Sequence, residues 1–207
     1  MSAPHELPSN PPPLSSDPLH ILLLHDHWAN RRVLELCREL TPNQFHTRFD
    51  IGPGSLHDTL AHIIAALRRW GDRLTERPLR PAIDIPPRKL PVASDYRHRT
   101  PDELIELLDP AAAELAALAN SFTLPNANPN LCSQIEISLD GNRYRITRGA
   151  GLVHIATHGT HHRAQCLNML RRLGINPLPE LTIVDWQAEV ESKQIHPSTR
   201  SNLLPST

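Results

Sequence analysis

Histidine is unusually frequent in this chain and is concentrated in one short segment. The 207 residues include 13 His, but only 2 Tyr and 3 Phe. Four of these histidines, His154, His158, His161 and His162, lie within a stretch of nine residues. Imidazole is the most common side-chain ligand of protein-bound metals and the side chain that titrates near neutral pH. The cluster therefore indicates a metal site or a site of proton transfer.

The spacing within the cluster selects two histidines as a ligand pair. On a helix with about 100° per residue, His158 and His162 lie about 40° apart, at the edge of the apolar face that contains Ile155. Such a pair can bind one divalent metal ion in the core of a helical bundle. His161 lies about 100° from His162 on the more polar side, so we expect it not to be a ligand. The alternative is a pair of core-edge histidines satisfied by hydrogen bonds.

A two-ligand site is weak, so a third ligand must come from another helix. The predicted second helix offers His57 and His62. His62 has the small neighbour Ala66 on its side of that helix, which leaves room for a metal ion. His57 lies beside Arg68, which predicts that it faces water, so His62 is the favoured ligand. Two weaker candidates lie in the first helix, His25 and His27.

Helix start and stop signals place four long helices along the chain. The first begins near Asp17, with Pro18 suited to its first position, and ends near residue 40. The second has Ser55 as its N-cap and fades before Pro78. Both carry apolar residues at helical spacing, so each is expected to bury one face.

The third helix starts at Thr100, which is followed by a proline and two acidic residues, and extends to about Ser121. Pro110 lies inside it and predicts a kink or a break. The fourth helix extends over about residues 148–173 and stops at Gly174. Residues 17–194 are therefore expected to form one all-α domain, a four-helix bundle.

Smaller elements and irregular segments complete the prediction. Two alternating apolar runs flank a turn at Asp140-Gly141-Asn142 and predict a small β-hairpin before the fourth helix. A short helix is predicted around residues 183–191. Residues 1–16 and 195–207 lack apolar periodicity and are predicted to be disordered tails, and the Pro-rich segment 78–99 is predicted to be a loop.

Three separated motifs carry a resemblance to a known family. They are GSLHDTLAHI at residues 54–63, HIATHGTHHRAQ at residues 154–165 and DHWANR at residues 26–31. Over about residues 17–192 the chain resembles the DinB family. It departs from the usual family pattern at Thr157, where Asn is usual, at Ala164, where Gly is usual, and in the Pro-rich insertion.

The resemblance implies a four-helix bundle with up-down-down-up connectivity. It also implies one divalent metal ion held by His62, His158 and His162, with zinc expected and nickel, iron or manganese as alternatives. Relatives include thiol-dependent S-transferases and a mycothiol-dependent maleylpyruvate isomerase, so activation of a low-molecular-weight thiol for S-transfer or isomerisation is the implied chemistry. Many members have no known reaction, and whether this chain is an enzyme stays open.

Two other functions compete with thiol activation. One is a metal-binding or stress-response protein without turnover. The other is a metal-dependent hydrolase, which should show a carboxylate base between its histidines as H-E-x-x-H does, whereas this chain has Gly159, Thr160 and His161 there. Three residues could act as an acid or base on position alone, His154, His161 and Asp26.

Composition limits the partners and the compartment. The chain has 21 Lys+Arg, 22 Asp+Glu and no basic stripe, which argues against nucleic acid as a partner. It has no apolar run long enough for a membrane span and no secretory leader, so the cytoplasm is the expected compartment. The three cysteines form no CxxC and are expected to be reduced. A small-molecule substrate and a homodimer are the remaining expectations.

Overall fold

The computed structural model describes residues 17–83, 97–139 and 141–195. This part of the chain is mostly helical, with one small two-stranded antiparallel sheet. Its elements are α1 (Pro18–Cys37), α2 (Pro42–Phe45), α3 (Leu56–Leu74), α4 (Pro101–Thr123), β1 (Gln134–Leu139), β2 (Asn142–Thr147), α5 (Arg148–Arg172) and α6 (Ile183–Ile195). None of the helices described is both long and apolar enough to cross a membrane.

The predicted tails and loop are largely outside these residues. Residues 1–16 and 196–207 lie outside the described part of the chain, as do residues 84–96 of the Pro-rich segment. Helix α6 includes Ile195, so it extends beyond the predicted short helix and into the first residue of the predicted C-terminal tail.

The predicted helix starts coincide with side-chain caps. The Asp17 carboxylate accepts a hydrogen bond from the Leu19 amide at 2.9 Å, and the Ser55 hydroxyl accepts one from the Asp58 amide at 3.0 Å. Thr100 forms a capping box with the residue three positions on. Each cap satisfies an amide that the first helical turn leaves without an intrahelical partner, which fixes where the helix begins.

Pro110 does not break α4. The helix continues through it from Pro101 to Thr123, so the expected break is absent. Proline removes the hydrogen bond to the carbonyl of Glu106. Both Pro110 and Glu106 lie on the exposed side of α4, where water can bond the released carbonyl, and the helix therefore tolerates the proline.

The core lies between the four longest helices. Helices α1 and α3 each pack against both α4 and α5, while α6 packs on α1 and the hairpin packs against α3 and α5. The largest fully buried side chains include Leu34, Leu60, Leu104, Leu108, Leu152 and Met169. Burial of these apolar side chains supplies the main driving force for assembling the helices.

The three cysteines are free thiols, as predicted. Cys37 on α1 and Cys166 on α5 are buried in the core, while Cys132 is exposed. Burial raises the pKa of Cys166 to about 12, so this thiol is protonated and unreactive at neutral pH. The buried thiols therefore act as small apolar side chains.

A buried polar contact joins α1 to α5. The Asp26 carboxylate pairs with the Arg163 guanidinium, which also donates to Asn30 Oδ1 at 3.0 Å. Gly159 lies directly against this pair, because a Cβ there would overlap the Asp26 carboxylate and approach Arg163 Nη1 to 2.9 Å. Asp26 is only 2% exposed, so it is part of a helix–helix contact and does not face solvent.

The close approach at Gly159 gives a stability prediction. Gly159→Ala is expected to lower the free energy of unfolding by about 1–3 kcal/mol, because the added methyl must displace a buried ion pair. Chemical denaturation measures the loss. Gly71→Ala on α3 is the control, since its Cβ would meet no atom nearer than 3.5 Å. A Gly159→Ala protein as stable as the control would contradict the contact.

Candidate metal centre

Three histidines converge at the contact between α3 and α5. His62 comes from α3, while His158 and His162 lie one turn apart on α5. The Nε2 atoms of His62 and His158 are 3.0 Å apart. The ring centroids of His158 and His162 are 4.4 Å apart, and those of His62 and His162 are 4.7 Å apart. One ring nitrogen from each histidine lies within 4.8 Å of the other two.

Packing of α3 on α5 brings these side chains together. The buried faces of both helices enter the core, and the three histidines lie at the edge of that contact, with His62 exposed and the other two partly buried. Gly151 permits close approach further along α5, where a Cβ would lie 2.9 Å from Leu74 Cδ2 and 3.2 Å from Trp70 Cζ3. The same arrangement leaves the cluster open to solvent on the His62 side.

The surroundings of His158 and His162 keep these two imidazoles neutral. Burial, together with the neighbouring charges of His162 and His62, lowers the pKa of His158 to about 3. Burial also lowers the pKa of His162, and it outweighs the hydrogen bond to Gln165, which raises that pKa. A neutral imidazole keeps a nitrogen lone pair, which is the form that binds a metal ion.

The donor set suits a divalent transition metal ion. Two nitrogens bound tetrahedrally at about 2.0–2.1 Å would be separated by about 3.3 Å, close to the 3.0 Å between His62 and His158. Imidazole nitrogen is a preferred ligand of zinc and of nickel, iron and copper, whereas magnesium and calcium prefer oxygen. The three residues therefore fit the metal site that the sequence predicts.

Gln165 orients one of the three histidines. His162 Nδ1 lies 2.8 Å from Gln165 Oε1, an acceptor, so Nδ1 donates and the lone pair is on Nε2. Gln165 Nε2 lies 3.1 Å from His161 Nε2. Gly52, in the left-handed region at φ +50°, packs against the Gln165 amide. Sequence reasoning did not single out Gln165, and its spacing of three residues from His162 is the signal that could have found it.

His161 does not belong to the group of three histidines that could hold a metal ion, as its position on the helix predicts. It is exposed and bonds to Gln165. We expect the His161→Ala protein to retain one metal ion per chain, because Gln165 can still hold His162. Elemental analysis of the dialysed protein checks this, with the wild-type protein beside it. Loss of the metal from His161→Ala would show that His161 is a ligand.

The sequence prediction for His57 is wrong. His57 is fully buried at the start of α3, with its Nδ1 3.1 Å from Asp58 Oδ1. Its ring packs against those of His46, at 4.5 Å, and Phe45, at 5.7 Å. Helix α2 and the residue after it cover this side of α3. The helical wheel of α3 alone could not reveal that cover.

The two weaker candidates in α1, His25 and His27, contact other residues. His25 is buried beside Trp28 and Trp186, and its Nε2 lies 2.9 Å from the Leu181 carbonyl oxygen. His27 Nε2 lies 2.8 Å from Asp109 Oδ1. Neither belongs to the group that could hold a metal ion.

His154 extends the cluster along the contact between the helices. Its ring centroid lies 5.8 Å from that of His158 and 4.8 Å from that of Trp70. The Arg73 guanidinium lies over the same Trp70 ring at 5.4 Å. Burial lowers the pKa of His154, and the Arg73 charge lowers it further. A neutral imidazole and an arginine are therefore placed beside the candidate metal ligands.

Comparisons with known proteins identify the family. The sequence profile of the DinB family matches residues 16–193, a range that contains all three clustered histidines. The chain is also similar to Protein DinB of Bacillus subtilis (strain 168). The two are 24% identical over 152 residues, which cover 73% of this chain and 84% of that protein. The chain belongs to the DinB family.

Proposed function

We propose that this protein binds one divalent metal ion, zinc, through His62, His158 and His162. The observation that carries the proposal is the convergence of the three ring nitrogens within 4.8 Å of one another. The lowered pKa of His158 and His162 supports it, because both rings are ready to bind without losing a proton. Nickel and iron are the alternatives that imidazole donors also suit, whereas manganese, the third alternative expected from the sequence, prefers oxygen ligands.

The proposal includes the arrangement of the four long helices. Helices α1, α3, α4 and α5 form a four-helix bundle with up-down-down-up connectivity, in which the metal ion joins α3 to α5. Support comes from the packing of α1 and α3 against both α4 and α5. Residues 17–194 are the folding unit. A homodimer and a cytoplasmic location stay predictions from the sequence.

The chemistry proposed for the site is activation of a low-molecular-weight thiol for S-transfer or isomerisation of a small molecule. A divalent metal ion held by three imidazoles lowers the pKa of a thiol or water at a remaining position. The chain itself supplies the ligands, the Gln165 amide that holds His162, and a neutral His154 beside them. His154 is placed to accept a proton from a group that enters beside His158.

Hydrolysis is the less favoured alternative. A hydrolase of this type needs a carboxylate base beside the ligands. Helix α5 contains no Asp or Glu, and the residues between its two ligands are Gly159, Thr160 and His161. A metal-binding protein without turnover is the remaining alternative, since the same cluster could bind a metal ion without a reaction.

Elemental analysis followed by thiol-transfer assays tests the proposal. We expect about one equivalent of zinc in the purified protein and transfer of a small thiol to an electrophile that depends on the metal. If the protein contains the metal but transfers none of several thiols tested, the alternative of a metal-binding protein without a reaction is favoured. Absence of a divalent metal after purification and after reconstitution would overturn the proposal.

A further inference from the structure

Helices α3 and α5, which carry His62, His158 and His162, have no exposed carboxylate. Helix α5 contains no acidic residue, and α3 contains only Asp58 and Asp72. These two carboxylates are 3% and 2% exposed. Asp58 pairs with Arg48, and Asp72 pairs with Arg77 and Arg80. The charge that these helices show to solvent near the cluster is therefore positive.

This surface contrasts with a second surface of the protein. A groove of about 540 Å³ between α1 and the α6 region is lined by five carboxylates, Glu35, Glu39, Glu180, Asp185 and Glu189. A single arginine, Arg32, lines the same groove.

Two arginines share one side of α3 with the exposed candidate ligand. At about 100° per residue, His62, Ala66, Arg69 and Arg73 all fall within an arc of about 60°. The Cα atoms of Arg69 and Arg73 are about 10 Å and about 16 Å along the helix from that of His62. Side chains on a helix lean toward its N-terminus, so both arginines lean toward His62. The small side chain of Ala66 leaves the space between them open.

These arginines carry no ion pair within the described part of the chain. The Arg73 guanidinium lies over Trp70, and Trp70 contacts His154, which neighbours His158. Burial lowers the pKa of Arg73, the Arg69 charge lowers it further and Asp72 raises it, so the two guanidinium groups are close enough to interact. The nearest carboxylate, Asp72, pairs with Arg77 and Arg80 instead. Two neighbouring guanidinium groups that form no ion pair with the described residues can bind an anionic ligand group through charge-assisted hydrogen bonds.

We propose that Arg69 and Arg73 bind an anionic group, a carboxylate or a phosphate, of the substrate whose reactive end lies at the three histidines. The substrate class is therefore a small anionic thiol. This inference rests on the proposed function, because it takes the histidine cluster as the place of the reacting group. The arginines are specificity-determining residues, and the metal ligands do not depend on them.

Cobalt(II)-loaded protein provides a direct test, because thiol binding to cobalt gives a charge-transfer absorption band. The probes are mercaptosuccinate, a thiol with two carboxylates, and cysteamine, a thiol with an amine. We expect mercaptosuccinate to half-saturate the band at about tenfold lower concentration or less, as charge-assisted hydrogen bonds require. Succinate and inorganic phosphate, added as competitors, distinguish a carboxylate site from a phosphate site by which of them displaces mercaptosuccinate.

Variants of the arginines separate this inference from the proposed function. The double variant R69Q/R73Q is expected to retain its cobalt and to lose most of the preference for mercaptosuccinate. R69K/R73K should keep much of the preference, because it keeps the charges. The control R171Q/R172Q removes two exposed charges at the far end of α5, beyond the screening length of about 8–10 Å, and should behave as wild type.

Each outcome has a defined meaning. If the wild-type protein does not prefer mercaptosuccinate to cysteamine, or if R69Q/R73Q keeps that preference, the anion site is overturned. The metal site is unaffected by either result. Failure of the wild-type protein to load cobalt overturns the proposed function instead. If cobalt loads but no thiol gives the band, isothermal titration with succinate and phosphate still decides, because binding that R69Q/R73Q abolishes supports the anion site and absence of binding overturns it.

Discussion

Alanine at His62, His158 or His162 is expected to reduce the bound metal from about one ion per chain to a small fraction of that. Each substitution leaves two imidazole ligands, and a two-ligand site is weak. Loss of an outer-shell partner alone costs about 10–100-fold in metal affinity, so loss of a ligand should cost more. Elemental analysis after dialysis against a low concentration of zinc measures the occupancy of each variant.

The design separates loss of a ligand from loss of the fold. His62 is exposed, so His62→Ala should unfold with the same cooperativity as the metal-free wild type. His154→Ala is the matched control on α5, since it removes an imidazole that neighbours the cluster without belonging to it. Full occupancy in all three ligand variants would reject the assignment, and loss in the control would enlarge the site to include His154.

Much of this site could be predicted because its signals are local. The cap at Ser55, which starts the helix that carries His62, is set by a hydrogen bond to the amide three residues on, and such a cap is visible in the sequence. The inward positions of His158 and His162 follow from one helical period. His62 was chosen because it had small neighbours on its side of α3, and the structure places it opposite the pair on α5.

The features that could not be predicted from the sequence are contacts between elements. The sequence of α3 predicts that His57 faces water, but α2 packs over it and buries it. The sequence of α3 alone does not show which element packs on that side of the helix. Asp26 is a candidate acid or base by position alone, whereas its pairing with Arg163 joins residues 137 positions apart in the sequence. Pro110 does not break α4, because its exposed position leaves the released carbonyl open to water. Tertiary packing determines each of these, and a helical wheel carries no information about it.

Removal of the metal is expected to lower the melting temperature without abolishing the cooperative transition. The core between the four long helices contains its own buried leucines, so the metal-free chain should still fold, unlike a zinc finger. The metal joins α3 to α5 and binds only the folded chain. It therefore stabilises by RT ln(1 + [L]/Kd), about 2.7 kcal/mol when free metal exceeds Kd a hundredfold.

The pH dependence of this stabilisation reports on the histidines. At pH 5.5, protons would reduce the free energy of metal binding by about 1.4 kcal/mol for each ordinary imidazole with a pKa near 6.5. Three such imidazoles would lose about 4 kcal/mol, which exceeds the stabilisation of about 2.7 kcal/mol by the metal. Burial lowers the pKa of His158 to about 3 and also lowers that of His162, so protons compete less at these two rings. The effect of chelator should therefore shrink between pH 7.5 and 5.5 but remain measurable.

The metal-free protein should also lose stability over the same pH range. A histidine whose pKa is lowered by folding takes up protons in the unfolded chain before it does so in the folded one. The contribution of such a histidine to the free energy of unfolding is complete above about pH 6.5 and is lost as the pH falls. The loss at pH 5.5 is at most about 1.4 kcal/mol for each of His158 and His162, and it is an upper value because both rings are partly exposed. Calorimetry with and without chelator at pH 7.5 and 5.5 separates the two effects. A chelator effect that disappears at pH 5.5 would show ordinary histidines in the site, and one that is absent at both pH values would show that no metal joins these helices.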